Sequence, residues 1–295
     1  MARARATNGR RRRGGVYAVV LDSKEGSLVF RFRRKDLFSD DDDQAPAPLV
    51  MRRFPRPVAH FPRDGYNVFH SCVVSGEHIL GVSPLGATVV VDDGTGATWA
   101  GPELGTARSE PILLPVGDDM VLVMACRPLP GRMTAYMTIG GRAWVSIACA
   151  GTFSLDAGAV ATRGRAAWRK EGCWELPLHG RALYVRELGA AIGLGCRAGP
   201  GGIALCLCAR DVEARPPAIR QSWHETLPFE CWPACHSLDG VSANLAYLGK
   251  GSAVVTMAVR LRRRSDDGEL QLTKRGKLRY HLMSPHGKHA YFLQP

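Results

Sequence analysis

The chain has 295 residues, of which 45% are hydrophobic, a composition typical of globular proteins rather than disordered chains. Its longest apolar runs, such as Ala143–Ala150 and Ala253–Val259, fall well short of the roughly 18 residues that a membrane-spanning helix needs. The formal net charge of +12 is unevenly placed, because Arg3, Arg5 and Arg10–Arg13 precede the first acidic residue. We therefore expect a soluble protein with a basic N-terminal tail.

Cysteine usage and the N-terminus predict an intracellular location, cytoplasmic or nuclear. The first apolar segment, Val16–Leu21, is too short for a secretory signal, and the sequence contains no Asn-x-Ser/Thr acceptor. Its nine cysteines are an odd number without framework spacing. Free buried thiols are therefore the default expectation.

The chain contains 33 glycines and 19 prolines, spread throughout, which favours many short strands over long helices. The predicted organisation is a disordered basic tail over residues 1–15 and a single all-β domain over residues 16–295. Residues 36–48, acidic and then rich in alanine and proline, are predicted to form a surface loop. No helix of notable length is predicted.

Apolar segments separated by turn residues define the predicted strands. In the N-terminal half they are Val16–Leu21, Leu28–Phe32, Val73–Val74, His78–Val82, Ala87–Val91, Pro111–Val116 and Met120–Ala125. In the C-terminal half they are Trp144–Phe153, Ile203–Ala209, Leu245–Leu248, Ala253–Leu261, Leu270–Thr273, Leu278–Leu282 and Ala290–Leu293.

Tryptophans recur behind these strands and indicate a repeated unit. Trp168 and Trp223 each follow a strand-ending aspartate by twelve residues, and Trp99 follows the turn after Ala87–Val91. Trp174 and Trp223 are 49 residues apart, within the range of propeller-blade repeats. The pattern predicts a β-propeller in which tryptophans fill the space between adjacent sheets and the two chain ends pair to close the ring.

Seven segments together resemble one known family: VYAVVLD behind a basic start, HILGVSP, GTFSLD with a later tryptophan, GCWELPLHGRALYVRELGAAIGL, ALCLCARDV, AYLGKGSAVVT and GELQLTKRGKLRYH. They resemble a plant family, domain of unknown function 1668, which is expanded in grasses and looks like kelch-type β-propellers. Similar proteins carry a longer segment where this chain has Arg127–Gly141, which implies a shortened or missing blade. The resemblance implies no activity and no catalytic residues.

Cys206 and Cys208 are the strongest candidates for a chemical site, since alternate residues of a strand face one side. With Cys231, Cys235 and His236 they would form a zinc site, but paired C-x₂-C knuckles are absent. Free cysteine also behaves as a small hydrophobe, so packing is the preferred interpretation.

Other catalytic motifs fail on spacing. Pro228 stands where the second histidine of an H-E-x-x-H motif beginning at His224 is needed. Neither Gly94-Thr-Gly96 nor Gly193-Leu-Gly195 completes a dinucleotide-binding G-x-G-x-x-G. We therefore assign no catalytic, cofactor-binding or metal residues and predict a protein that is not an enzyme.

Three basic segments, Arg10–Arg13, Arg260–Arg264 and Lys274–Arg279, would approach one another if the chain ends share a blade. Such a patch attracts phosphates or an acidic protein surface, and the tail alone resembles a nuclear-import signal. The alternative is a solubilising tail and a charged sheet edge.

The resulting prediction is a kelch-like β-propeller of roughly five to six blades that acts as a non-enzymatic scaffold for an unknown protein partner. A nucleic-acid-associated or nuclear protein using its basic tail is the first alternative. A metal-dependent enzyme is the second.

Overall fold

The computed structural model describes residues 15–22, 24–33, 50–53, 55–63, 71–105, 111–117, 120–124, 133–163, 167–199, 202–223, 246–247, 252–254, 258–263, 270–274, 278–281 and 287–293. These residues form 24 β-strands, one short α-helix and one 3₁₀ turn. The protein is thus nearly all-β and built of several sheets, as the sequence predicts.

Sheet 1 joins the two ends of the described chain. It consists of β1 (Gly15–Asp22), β2 (Gly26–Arg33), β4 (Ala59–Phe61) and β24 (Gly287–Leu293), in the order β24-β1-β2-β4. The antiparallel pairing of β1 with β24 sets Val20 opposite Ala290, so the predicted pairing of the chain ends is confirmed. In the β1–β2 turn, Gly26 has a φ of 102°, and a Cβ there would lie 2.3 Å from the carbonyl oxygen of Phe61.

Sheet 2 is an antiparallel meander whose strands follow one another in sequence: β5 (Ser71–Ser75), β6 (His78–Val82), β7 (Thr88–Asp92) and β8 (Thr98–Ala100). The turn after β7 is built on Asp92, whose Oδ1 accepts the N–H groups of Gly94 at 3.0 Å and Thr95 at 2.6 Å. Sheet 3 is the antiparallel hairpin of β9 (Ile112–Val116) and β10 (Met120–Met124).

Sheet 4 is the meander β11 (Met133–Ile139), β12 (Arg142–Ile147), β13 (Gly151–Asp156) and β14 (Arg169–Gly172). The prediction of one strand over Trp144–Phe153 is wrong, because a turn separates β12 from β13. Cys149 adopts a φ of 61° in that turn, and Gly151 follows with a φ of 102°. The helix α1 (Ala157–Arg163) was not predicted; Asp156 caps it by accepting the N–H of Ala159 at 3.1 Å.

Sheet 5 is the meander β15 (His179–Val185), β16 (Ala190–Gly199), β17 (Gly202–Asp211) and β18 (Ala218–Trp223). A 3₁₀ turn, Arg186–Leu188, connects its first two strands. A short parallel pairing, which sets Tyr136 opposite Arg181, joins β11 to β15 and makes one eight-stranded sheet of sheets 4 and 5.

Sheet 6 is the meander β19 (Ala246–Tyr247), β20 (Ser252–Val254), β21 (Ala258–Arg263) and β22 (Leu270–Lys274). The predicted single strand Ala253–Leu261 is wrong: it divides into β20 and β21, which pair in a hairpin. Finally, β23 (Leu278–His281) pairs in parallel with β3 (Val50–Arg53).

Hydrophobic clusters lie between consecutive sheets. Val19 and Ile79 belong to the cluster of sheets 1 and 2, and Val82 and Leu113 to that of sheets 2 and 3. Leu114 packs with Val145 between sheets 3 and 4. Between sheets 4 and 5, the cluster consists of Ala135, Met137, Trp144, Leu176, Leu178, Ala182, Ala191, Cys208 and Val212. Sheets 1 to 5 therefore bury their faces against each other in chain order.

Candidate functional sites between the sheets

Cys206 and Cys208 lie in the core, as the packing interpretation predicts. Their exposures are 5% and 0%. Both thiols face β16, where Cys206 Sγ donates to the carbonyl oxygen of Gly195 at 3.5 Å and Cys208 Sγ to that of Gly193 at 3.3 Å. Both thiols thus contact the neighbouring strand inside sheet 5.

The face of β16 next to these thiols carries only small residues. Ala191, Gly193 and Gly195 stand opposite Arg210, Cys208 and Cys206 of β17, in that order. A Cβ on Gly193 would lie 2.9 Å from Leu178 Cδ2 and 3.0 Å from Ala182 Cβ. We call Ala191, Gly193 and Gly195 the small-residue stripe; it lets the connection that enters sheet 5 pack closely on β16.

Arg210 is buried on the same face, with 4% of its surface exposed. A Cβ on Gly195 would lie 3.1 Å from Arg210 Nη2, so the guanidinium extends over the small-residue stripe. Its Nε and Nη1 are buried and have no hydrogen-bond partner among the described residues. Buried polar groups are normally hydrogen-bonded. Four described residues, Asp93, Arg142, Arg181 and Arg210, have a buried side-chain atom without a partner, and Arg210 alone has two.

Two further arginines lie near the interface of sheets 4 and 5. Arg215 stacks on the ring of Trp144, with its guanidinium carbon 5.1 Å from the ring centroid. Arg181, on β15, has a buried Nε that also has no acceptor in the described part of the chain. Burial lowers the pKa of the Arg181 guanidinium.

A buried polar network fastens the connection between sheets 4 and 5. Ser146 Oγ accepts the N–H of Leu176 at 2.8 Å and shares a 2.7 Å hydrogen bond with Thr152 Oγ1. Thr152 Oγ1 in turn donates to the carbonyl oxygen of Trp174 at 2.7 Å. Each hydroxyl is thus satisfied by groups of the chain itself, which identifies the network as structural.

A second cluster of charged and polar groups lies between sheets 1 and 2. Tyr17 and Arg31 are opposite each other on β1 and β2. Both donate to Asp93 Oδ2, Tyr17 Oη at 2.8 Å and Arg31 Nη1 at 2.5 Å. Burial, followed by the hydrogen bond to Asp93, raises the pKa of the Tyr17 hydroxyl. The cluster ties the two sheets together through an ion pair.

Sequence reasoning missed both arginine sites. Arg210 was detectable, because it continues the every-second-residue pattern of Cys206 and Cys208 on a buried strand. The meeting of Arg31 with Asp93 was not detectable, since 62 residues separate them and the contact joins different sheets.

The tryptophans only partly fill the space between sheets. Trp144 is buried at 8% exposure, and Trp174 packs against the same cluster. Trp99 and Trp168 are 43% and 42% exposed, so the prediction that they fill the space between sheets is wrong for these two. Trp99 lies on β8, the outer strand of sheet 2, and Trp168 directly precedes β14, the outer strand of sheet 4. An outer strand has a neighbouring strand on one side only, so its side chains have fewer partners on the same face of the sheet.

Several predicted residues lie outside the described residues or lack a described side chain. Cys231, Cys235, His236, His224 and Pro228 are outside. In the basic segments, Arg10–Arg13, Arg264 and 275–277 are outside, and for the rest the backbone alone is described. The described residues contain no cluster of three or more potential metal ligands. Nor does any described helix have the length and apolarity to cross a membrane.

A family model, described as "Protein of unknown function (DUF1668)", matches residues 13–134 and 125–279. No curated protein matches the sequence. AztD from Citrobacter koseri is similar to this chain at a TM-score of 0.38 and 11% identity, covering 94% of this chain and 97% of that one. BamB from Moraxella catarrhalis is similar at a TM-score of 0.33 and 12% identity, covering 90% and 75%.

Proposed function

The chain belongs to the DUF1668 family of proteins of unknown function, and we propose that it is a kelch-like β-propeller acting as a non-enzymatic protein-interaction scaffold. The proposal includes five or six blades in one domain and an intracellular location. The location is supported by the thiols of Cys149 and Cys173, which form no disulfide among the described residues.

Contacts between the first strands of successive sheets support the propeller. β24, the edge strand of sheet 1, contacts β5, and β5 contacts β9. Next, β9 contacts β11, β11 pairs with β15, and β15 contacts β19. Radial repetition requires this arrangement, because the innermost strand of each blade lies beside that of the next.

The two chain ends and sheet 3 support the blade count. In sheet 1 the C-terminal strand β24 completes the sheet begun by β1, which is how propellers close. Sheet 3 has two strands among the described residues, and its last strand precedes Arg127–Gly141 in the sequence, where the resemblance implies shortening. Taking sheets 1 to 6 as blades, the third of them shortened, supports the proposed five or six blades; the parallel pair of β3 and β23 stands outside this count.

One observation carries the scaffold role: large apolar side chains are exposed on, or directly beside, the outer strands of different sheets. Trp99 and Trp168 are each more than two-fifths exposed, and Ile219 on β18 is 63% exposed. Tryptophan is enriched among the residues that dominate protein–protein binding. Side chains of this kind, on three sheets, offer contact points for a protein partner.

Proximity labelling with the full chain in its native tissue tests the scaffold role. The double variant Trp99→Ala, Trp168→Ala should lose labelling of specific partners at least tenfold and keep the wild-type melting temperature. The matched control, Glu77→Ala with Glu213→Ala, changes two exposed side chains and should label the wild-type set. Identical labelled sets for wild type and the tryptophan variant would refute these contacts.

The two alternatives have their own measurements. Nucleic-acid association through Arg10–Arg13 predicts binding that weakens steeply with salt and falls when these four residues are changed to alanine. A metal-dependent enzyme predicts stoichiometric metal in the purified protein. Either result would replace the scaffold proposal.

A further inference from the structure

The interface of sheets 4 and 5 combines a stripe of small residues with a buried cation aimed into it. Gly195 supplies the space that Arg210 and Cys208 fill: a Cβ there would lie 3.0 Å from Cys208 Sγ and 3.1 Å from Arg210 Nη2. Arg210 emerges from β17 between Cys208 and Val212, both members of the cluster of sheets 4 and 5. Its guanidinium therefore lies in the space between the two sheets.

The guanidinium of Arg210 lacks acceptors for at least two of its nitrogen atoms. Nε carries one hydrogen and Nη1 carries two, and neither atom has a hydrogen-bond partner in the described part of the chain. On the facing strand, the carbonyl oxygens of Gly193 and Gly195 accept the two thiols rather than these nitrogen atoms. A guanidinium stays charged at every physiological pH, and an unpaired buried charge is strongly unfavourable.

We infer that Arg210 binds the oxyanion group, carboxylate or phosphate, of a small ligand that inserts between sheets 4 and 5. Guanidinium groups pair with both oxyanions through parallel N–H···O bonds. The surroundings specify the rest of the ligand: Trp144, Leu176 and Leu178, members of the same cluster as Cys208, supply apolar contacts, and the Arg215 guanidinium stacked on Trp144 adds a positive charge at that ring. The ligand is an anion with an apolar body.

Thermal unfolding of the full chain tests this site. The probes are inorganic phosphate, phenyl phosphate, acetate and benzoate, each compared with chloride at constant ionic strength. A ligand that binds the folded chain raises its melting temperature in a saturable manner. We expect such a rise with at least one probe. Phenyl phosphate should raise the melting temperature more than inorganic phosphate does, or benzoate more than acetate does, because the aromatic ring adds apolar contacts. The two pairs distinguish a phosphate site from a carboxylate site.

Three variants test whether the probe-dependent rise in melting temperature depends on Arg210. Arg210→Met should abolish the probe-dependent rise and, in chloride, melt at or above the wild-type temperature because it removes an unpaired charge. Arg186→Met changes an exposed arginine of the 3₁₀ turn and should respond as wild type does. Gly195→Ala keeps the charge but displaces the guanidinium, and it should weaken probe affinity about tenfold.

Three results would overturn the inference. The first is that no probe shifts the wild-type melting temperature. The second is that Arg210→Met responds to the probes as wild type does. The third is that Arg210→Met is unfolded or melts well below wild type in chloride, because that loss shows that the chain itself supplies the acceptor for Arg210.

Discussion

Two junctions between sheets contain an arginine. In one the guanidinium is paired with a carboxylate, and in the other two of its nitrogen atoms have no acceptor among the described residues. Between sheets 1 and 2, Arg31 meets Asp93, which also accepts the Tyr17 hydroxyl. Between sheets 4 and 5, Arg210 is more deeply buried, yet Nε and Nη1 find no acceptor in the described residues. An arginine whose carboxylate comes from the neighbouring sheet fastens two sheets together. An arginine without one is suited to an anion from outside the chain.

Removing the largest buried side chain between sheets 4 and 5 should produce the largest loss of stability. Trp144 is 8% exposed and packs among Met137, Leu176 and Val212. We expect Trp144→Ala to lower the free energy of unfolding by about 3–5 kcal/mol, since it removes buried area and leaves a cavity. Urea denaturation of the full chain measures the change.

The control for Trp144 is Trp168, which is 42% exposed. Trp168→Ala should change the free energy of unfolding by less than about 0.5 kcal/mol, as most surface substitutions do. Equal losses for the two variants would contradict the assignment of Trp144 to the core and of Trp168 to the surface.

The junction of sheets 1 and 2 should depend on its carboxylate. Asp93→Ala removes the acceptor of Tyr17 and Arg31 and is expected to lower the free energy of unfolding by about 2 kcal/mol. The loss stays below the cost of breaking a fully buried ion pair because the Arg31 side chain is 24% exposed and regains water.

Glu77 provides the matched control, since its carboxylate is exposed near the same turn and only its backbone oxygen bonds to Asp93. Glu77→Ala should leave the urea midpoint at the wild-type value. If Asp93→Ala does the same, the ion pair does not stabilise the junction, and the contrast with Arg210 disappears.

The sequence predicts some features of these sheets and their junctions and not others. Strand positions and the pairing of the chain ends follow from apolar segments and turn residues, which are local signals. The division of Trp144–Phe153 into two strands was missed because the turn is apolar and depends on Cys149 adopting a positive φ. Side chains are even less predictable: Trp99 and Trp144 are both strand tryptophans, and only their positions in the sheets decide which one is buried.

The buried polar network between sheets 4 and 5 should contribute less to the free energy of unfolding than Trp144 or Asp93 does. Ser146→Ala removes the acceptor of the Leu176 N–H and one partner of Thr152. We expect a loss of about 1–2 kcal/mol, the cost of leaving one buried donor unsatisfied. The control is Thr134→Ala, because that hydroxyl makes longer bonds of 3.3 and 3.4 Å in a more exposed position. A smaller effect of Ser146→Ala than of Thr134→Ala would contradict the network.

Removing the Tyr17 hydroxyl should change the free energy of unfolding least at neutral pH. Above pH 10 it should also change how stability depends on pH. Tyr17→Phe removes one donor to Asp93 and leaves Arg31 bound, so the expected loss at pH 7 is about 1 kcal/mol. The folded chain raises the pKa of Tyr17 above 10, so above pH 10 the folded state keeps a proton that the unfolded state loses. Stability therefore falls as pH rises, by up to about 1.4 kcal/mol per pH unit from this group.

Urea denaturation between pH 9 and pH 11 measures this slope in the wild type and in Tyr17→Phe. The variant should lose stability less steeply above pH 10, because phenylalanine has no proton to release. Every other tyrosine is common to the two proteins, so the difference between the curves belongs to Tyr17. Parallel curves would show that the hydroxyl titrates alike in the folded and unfolded chains, and they would remove the tyrosine from the junction that holds Arg31.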